Sequence, residues 1–148
     1  MRTYVCAILL SLAVTAPLAA EKKVIIPPEF AGSPGTAPLF SPGVLVDGTL
    51  YISGQIGRDL KTREVPSDFE TEVRKCLENI GIVLKAAGMT YQDVVSVQVY
   101  LTDMDLFPRM NAVYSTTFKE PRPARTTVGV TKLADPKARL EITITARR

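Results

Sequence analysis

Apolar residues recur along the chain in several distinct rhythms. Tyr4 to Val14 is almost continuously apolar, diluted only by Cys6 and Ser11; it follows Met1-Arg2 and leads into Ala16-Pro17-Leu18-Ala19-Ala20 and then Glu21-Lys22-Lys23. A charged start, a short apolar run and a small-residue end describe a secretory signal peptide, too short to span a bilayer in place. Cleavage after Ala20, with Leu18 at the minus-three position, would leave residues 21–148 and predicts a periplasmic or secreted protein. Residues 27–42 then hold five of the eleven prolines, Pro27, Pro28, Pro34, Pro38 and Pro42. That composition predicts an extended lead-in that is neither helix nor central strand.

Beyond it the rhythm changes from period two to helical spacing and back. Val44-Leu45-Val46, Asp47-Gly48 and Leu50-Tyr51-Ile52-Ser53 read as a hairpin, since Asp-Gly supplies the positive φ angles of a tight turn. Pro66-Ser67-Asp68-Phe69-Glu70 reads as a helix start, with Ser67 as cap and Glu70 returning the bond. Phe69, Val73, Cys76, Leu77, Ile80, Val83 and Leu84 form its apolar stripe, and Gly88 stops it. Asp93 to Leu101 alternates as a strand, with Val95, Val97, Val99 and Leu101 on one face and Val94, Ser96, Gln98 and Tyr100 on the other. Asp105 can cap a second helix with Pro108 in its first turn, running to about Phe118. Arg125–Lys132 and Arg139–Ala146 alternate again, as a closing hairpin.

Hairpin, helix, strand, helix, hairpin predicts an α+β fold, with two helices packed on one face of a mixed or antiparallel sheet. Two helices cover one face only, so the half-apolar second face predicts self-association.

Composition narrows the chemistry. At 148 residues, with 46% hydrophobic and 22% charged residues, the chain is ordinary globular material, and one domain is the default. It has no histidine, which excludes Ser-His-Asp and Cys-His catalysis and any histidine general base or metal ligand. Two cysteines cannot make a four-ligand zinc site, and signal cleavage leaves only Cys76, which reads as a small core residue. A formal net charge of +3 without a dense Lys/Arg run gives a weak nucleic-acid footprint, so no nucleic-acid partner is expected.

The remaining chemistry lies in carboxylates, arginines, hydroxyls and backbone groups. If Val128 and Val130 define the apolar face of one late strand and Ile142 and Ile144 that of the next, then Arg125, Thr127 and Glu141 fall on the polar face. A hairpin through Leu133–Lys137 would set Glu141 opposite Gly129 or Thr131 and leave Arg125 roughly 14–20 Å away. A ligand or a neighbouring subunit would have to close that gap. Asn111 and Tyr114 share a face of the second helix. Ser53-Gly54-Gln55 ends a strand, where free amides can bind a carboxylate or carbonyl oxygen.

Six motifs in order resemble the YjgF/YER057c/UK114 superfamily, also called the Rid (reactive intermediate deaminase) family: SGQIGRD at 53–59, LENIGIVLKAAG at 77–88, DVVSVQVYLTDM at 93–104, MNAVYSTTF at 110–118, PARTTVGV at 123–130 and LEITITA at 140–146. The resemblance covers about residues 36–148, leaving 1–20 as signal peptide and 21–35 as lead-in. It implies a chorismate-mutase-like fold, a homotrimer with ligand sites in the clefts between subunits, and no metal or organic cofactor. It further implies hydrolysis of enamine/imine intermediates to 2-oxo acids and ammonia. Carried over by position, Arg125 would grip the substrate carboxylate, a task suited to a planar two-pronged donor. Glu141 would position or activate water. Asn111, Ser53 and Gly54 would line the cleft.

Two positions depart from the archetypal deaminases. Thr127 stands where they carry cysteine, and Phe40 where they often carry tyrosine; both changes imply a different or broader substrate. Three functions follow in order: an exported imine deaminase, a non-catalytic binder of a small carboxylate, and an endoribonuclease.

Overall fold

The computed structural model describes residues 21–31 and 39–148. The expected signal peptide, residues 1–20, lies outside the described residues. So do 32–38, within the proline-rich lead-in.

Eight elements build one six-stranded sheet with two helices: β1 (Lys23–Ile25), β2 (Gly43–Val46), β3 (Thr49–Ile56), α1 (Phe69–Ala86), β4 (Val94–Leu101), α2 (Phe107–Thr117), β5 (Ala124–Gly129) and β6 (Leu140–Arg147). The strand order is β1-β2-β3-β6-β4-β5. Among the described residues only β4 and β5 pair in parallel, and α2 supplies the crossover that a parallel pair needs. The sheet takes in Lys23–Ile25 from the segment expected only as lead-in, pairing it with β2.

Local signals set the local elements. Asp47 (φ 47°) and Gly48 (φ 71°) form the β2–β3 turn in the left-handed region. Helix α1 is capped by Asp68, not by Ser67: the Asp68 carboxylate accepts from the Thr71 amide at 2.8 Å and from the Thr71 hydroxyl at 2.6 Å. Glu70 does not close a capping box, because Arg109 on α2 claims its carboxylate with two bonds of 2.7 and 2.6 Å. Gly88 (φ 74°) ends the helix as expected, and the Met89 amide returns to Leu84 O at 2.8 Å. Before α2, Asp103 rather than Asp105 does the capping: it accepts from the Asp105 amide and opens a 3-10 turn, Met104–Leu106, that runs into the helix.

The core lies between the helices and one sheet face. The α1 stripe from Phe69 to Leu84 is buried, and packs with Leu50, Ile52, Val97, Val99, Leu101, Leu140, Ile142 and Ile144. Cys76 belongs to it. Its thiol donates to Gln55 O at 3.0 Å, and burial pushes its pKa well up, which suits an inert packing residue.

Two expectations about the strands are corrected. In β4, Val94 is buried and Val95 is 48% exposed, the reverse of the expected parity. A register shift between Val94 and Ser96 against Ala146 and Thr145 inserts one residue and flips the alternation there. The late strands do not form a hairpin either. β6 inserts between β3 and β4, while β5 lies beyond β4 as an edge. The physical reason is burial. Leu140, Ile142, Ile144 and Ala146 give β6 a fully buried face suited to the sheet centre, whereas Arg125-Thr126-Thr127 suits an edge.

That topology also corrects the shared polar face. Arg125 aligns with Val97 and Thr127 with Val99, both on the helix-covered side, while Glu141 and Val128 align with Tyr100 on the other side. Arg125 and Thr127 therefore face α2, and Glu141 faces the side without helices. That side carries Val44, Gln98, Thr143 and Thr145, with Tyr51 and Val128 strongly exposed.

Candidate functional site

The candidate residues fall into two groups. The first is built on a bulge in β3. Between Ile52 and Gln55 the strand uses three steps while β6 uses two, from Ile144 to Ile142, so Ser53-Gly54 is thrown out of register. Ser53 is fixed there: its hydroxyl donates to Ser41 O at 2.7 Å and its amide to Pro42 O at 3.0 Å. Glu141, entering from β6, lays its carboxylate against Gly54. A Cβ at position 54 would lie 1.8 Å from Glu141 Oε1, so only glycine leaves that seat open. The bulge forms the wall of a cavity of about 740 Å³, lined among others by Phe40, Ser53, Gly54, Arg58, Asp135 and Glu141. Phe40 is 65% exposed at its edge, and Arg58 is ion-paired with Asp135.

The second group surrounds Arg125. Its guanidinium lies 4.5 Å from the centroid of the Tyr114 ring and 5.6 Å from that of Phe107. Tyr114 is itself stacked on Phe118, with centroids 4.4 Å apart. Among the described residues Arg125 takes part in no ion pair. The Tyr114 hydroxyl and the Thr127 Oγ1 are both buried without a hydrogen-bond partner among the described residues. Unpaired buried polar atoms cost free energy, and their clustering beside an unpaired cation is a common property of ligand sites. Burial raises the Tyr114 pKa, with Arg125 and Arg122 pulling it the other way, so the phenol stays protonated and able to donate. Asn111 is half-buried one turn before Tyr114 on α2.

Within the chain the two groups do not meet. Arg125 and Glu141 are two strands and three residues apart, about 14 Å between Cα atoms, and their side chains leave opposite faces of the sheet. The structure thus brings together Ser53, Gly54, Glu141 and Phe40 in one place, and Arg125 and Tyr114 in another, with Thr127 two residues on from Arg125 in β5 and Asn111 one turn from Tyr114 in α2. The Arg58–Asp135 pair was not visible in the sequence, since the two residues lie 77 positions apart with no shared pattern.

Comparison with known proteins gives the same grouping of sequence and fold. The family model described as endoribonuclease L-PSP matches residues 31–148. The 2-iminobutanoate/2-iminopropanoate deaminase of Homo sapiens is 41% identical over 114 residues, 76% of this chain and 82% of the human protein. A RutC family protein of Sulfurisphaera tokodaii is 43% identical over 95 residues, 64% of this chain and 76% of that protein. The solved structure of E. coli TdcF with bound serine superposes with a TM-score of 0.75 at 32% identity, covering 85% of this chain and 98% of that one. A family model spanning nearly all of the described residues, relatives above 40% identity and a shared fold place this chain in the YjgF/Rid superfamily.

Proposed function

We propose that the protein is a hydrolytic deaminase of small imino acids, working as a homotrimer whose clefts join Arg125 of one copy to Glu141 of the next. The observation that carries the reading is the division of the site: an unpaired guanidinium beside two orphaned hydroxyls on one sheet face, and a carboxylate seated in a cavity on the other. Each half lacks what the other supplies. The helix-free sheet face, with exposed Tyr51 and Val128, offers the surface for association. The deaminase name of the human relative supports the reaction class.

The chemistry follows from the two halves. Arg125 binds the substrate carboxylate through two parallel bonds, and the aromatic rings beneath it restrain the guanidinium plane. Glu141 orients a water toward the imine carbon and accepts a proton as the water adds. The resulting carbinolamine collapses when its nitrogen is protonated; the C–N bond breaks, ammonia leaves and a 2-oxo acid remains. One water is consumed per imine.

The test is ketoacid formation from imines made in situ by an amino-acid oxidase. Acceleration by the purified protein is the expected result. No acceleration, with carboxylate-dependent melting shifts instead, would favour a binding module. The endoribonuclease reading has the family model's description behind it, but the chain offers no histidine for acid–base cleavage of RNA.

Gly54→Ala probes the Glu141 seat separately from the fold. The added methyl meets the flexible end of Glu141 rather than backbone, so the carboxylate moves and the fold remains. Turnover should fall about 100-fold, as for a misplaced catalytic group, with the melting temperature little changed. Unaltered turnover would remove Glu141 from its assigned place.

A further inference from the structure

One wall of the Glu141 cavity carries cationic groups that the reaction itself does not use. Arg58 and Arg63 both line it. Arg58 gives one nitrogen to Asp135, but its Nε is buried without an acceptor among the described residues. Arg63 takes part in no ion pair among the described residues. Its backbone sits at φ 65°, a left-handed conformation that a non-glycine residue adopts at a cost. The loop enforces this: the Arg63 amide bonds Asp59 O at 2.8 Å, the Asp59 amide bonds Glu64 O at 2.9 Å, and the Asp59 carboxylate takes the Lys61 and Thr62 amides at 2.9 Å. Below Arg58, Asn79 donates to Ile56 O and Arg58 O, fixing the backbone there as well. Asp135 neutralises one guanidinium, so among the described residues the wall keeps one positive charge without an ion-pair partner.

We propose that Arg58 and Arg63 make this site selective for imino acids whose side chain ends in a second carboxylate. The inference rests on the deaminase reading and adds its substrate class. With the α-carboxylate on Arg125 of the neighbouring copy and the imine carbon before Glu141, the substrate side chain points to the remaining lining. Ile56 and Leu60 there can cover a short methylene spacer, and the two arginines can meet an anionic end.

The experiment compares kcat/KM for the imine of glutamate and the imine of alanine, each generated in situ, in wild-type protein and in Arg63→Gly and Arg63→Glu. Glycine suits φ 65°, so the first variant keeps the loop. Wild type should favour the glutamate imine about tenfold or more, the size of effect of one charge-assisted contact. Arg63→Gly should shrink that ratio about tenfold, and Arg63→Glu should shrink it further. A wild-type ratio near one, or a ratio that neither variant changes, overturns the inference while the deaminase reading stands. Turnover of neither imine overturns both.

Discussion

On the proposed deaminase reading, replacing Arg125 with alanine should lower kcat/KM for imino-acid hydrolysis by about 100- to 1000-fold, the effect of removing one partner from a desolvated charge pair. Arg125→Lys should recover only part of this, because a single ammonium keeps the charge but not the planar fork. The fold should tolerate both changes. Arg125 is an exposed residue of an edge strand, and its structural ties are stacking contacts to Tyr114 and Phe107, worth about 0.5–1 kcal/mol at such a site. Steady-state kinetics beside a thermal melt therefore separates the two roles. A variant that melts like wild type and turns over normally would show that the carboxylate is held elsewhere.

The largest effect on stability is expected at Glu72. This carboxylate is fully buried beneath the start of β6, where it accepts from the Arg139 amide at 2.6 Å, from Arg139 Nε at 2.6 Å and from the Leu140 amide at 3.4 Å. Arg139 also donates to Pro66 O at 2.8 Å and lies over the Phe69 ring. Gly57 lets β3 pass close by, since a Cβ there would lie 2.1 Å from Glu72 O. Glu72→Ala strips the acceptor from two backbone amides and leaves a half-buried guanidinium without its counter-charge. The expected loss is about 3–5 kcal/mol, read as a lower urea midpoint. A loss below about 1 kcal/mol would mean that water replaces the carboxylate at no great cost. The network also matters for the site, because it anchors the two residues that immediately precede Glu141.

What the sequence made legible was what neighbouring residues decide. The α1 stripe, the Asp47-Gly48 turn and the Gly88 stop each follow from local periodicity or local backbone freedom, and each stands where expected. Capping was legible only to within a residue or two, since Ser67 and Asp68, or Asp103 and Asp105, are chemically able to do the same work. Pairing beyond the β2–β3 hairpin was not legible. Nothing in β5 or β6 alone says that β6 slips between β3 and β4; that is settled by which strand can bury a whole face. The parity argument for Arg125 and Glu141 failed for the same reason. Val128 looks like a core residue, yet it lies on the helix-free side, so the residues alternating with it face α2. The bulges at Val94/Ser96 and Ile52/Gln55 are equally silent in a single chain, because each depends on what the partner strand places opposite. Arg125, Glu141, Asn111 and Ser53-Gly54 were singled out as candidates by motif, but their division into two separated groups needed the sheet order.

The shared cleft can be tested by mixing two inactive variants. Arg125→Ala and Glu141→Ala are co-expressed under separable tags, and trimers carrying both are compared with each variant alone. If every site takes Arg125 from one copy and Glu141 from the next, each mixed trimer regains one intact site. Trimers selected for both tags then carry about one third of the wild-type sites. Activity near that level, absent from either variant by itself, is the expected result. Co-expressed protein no more active than the separate variants would contradict the division of the site between copies.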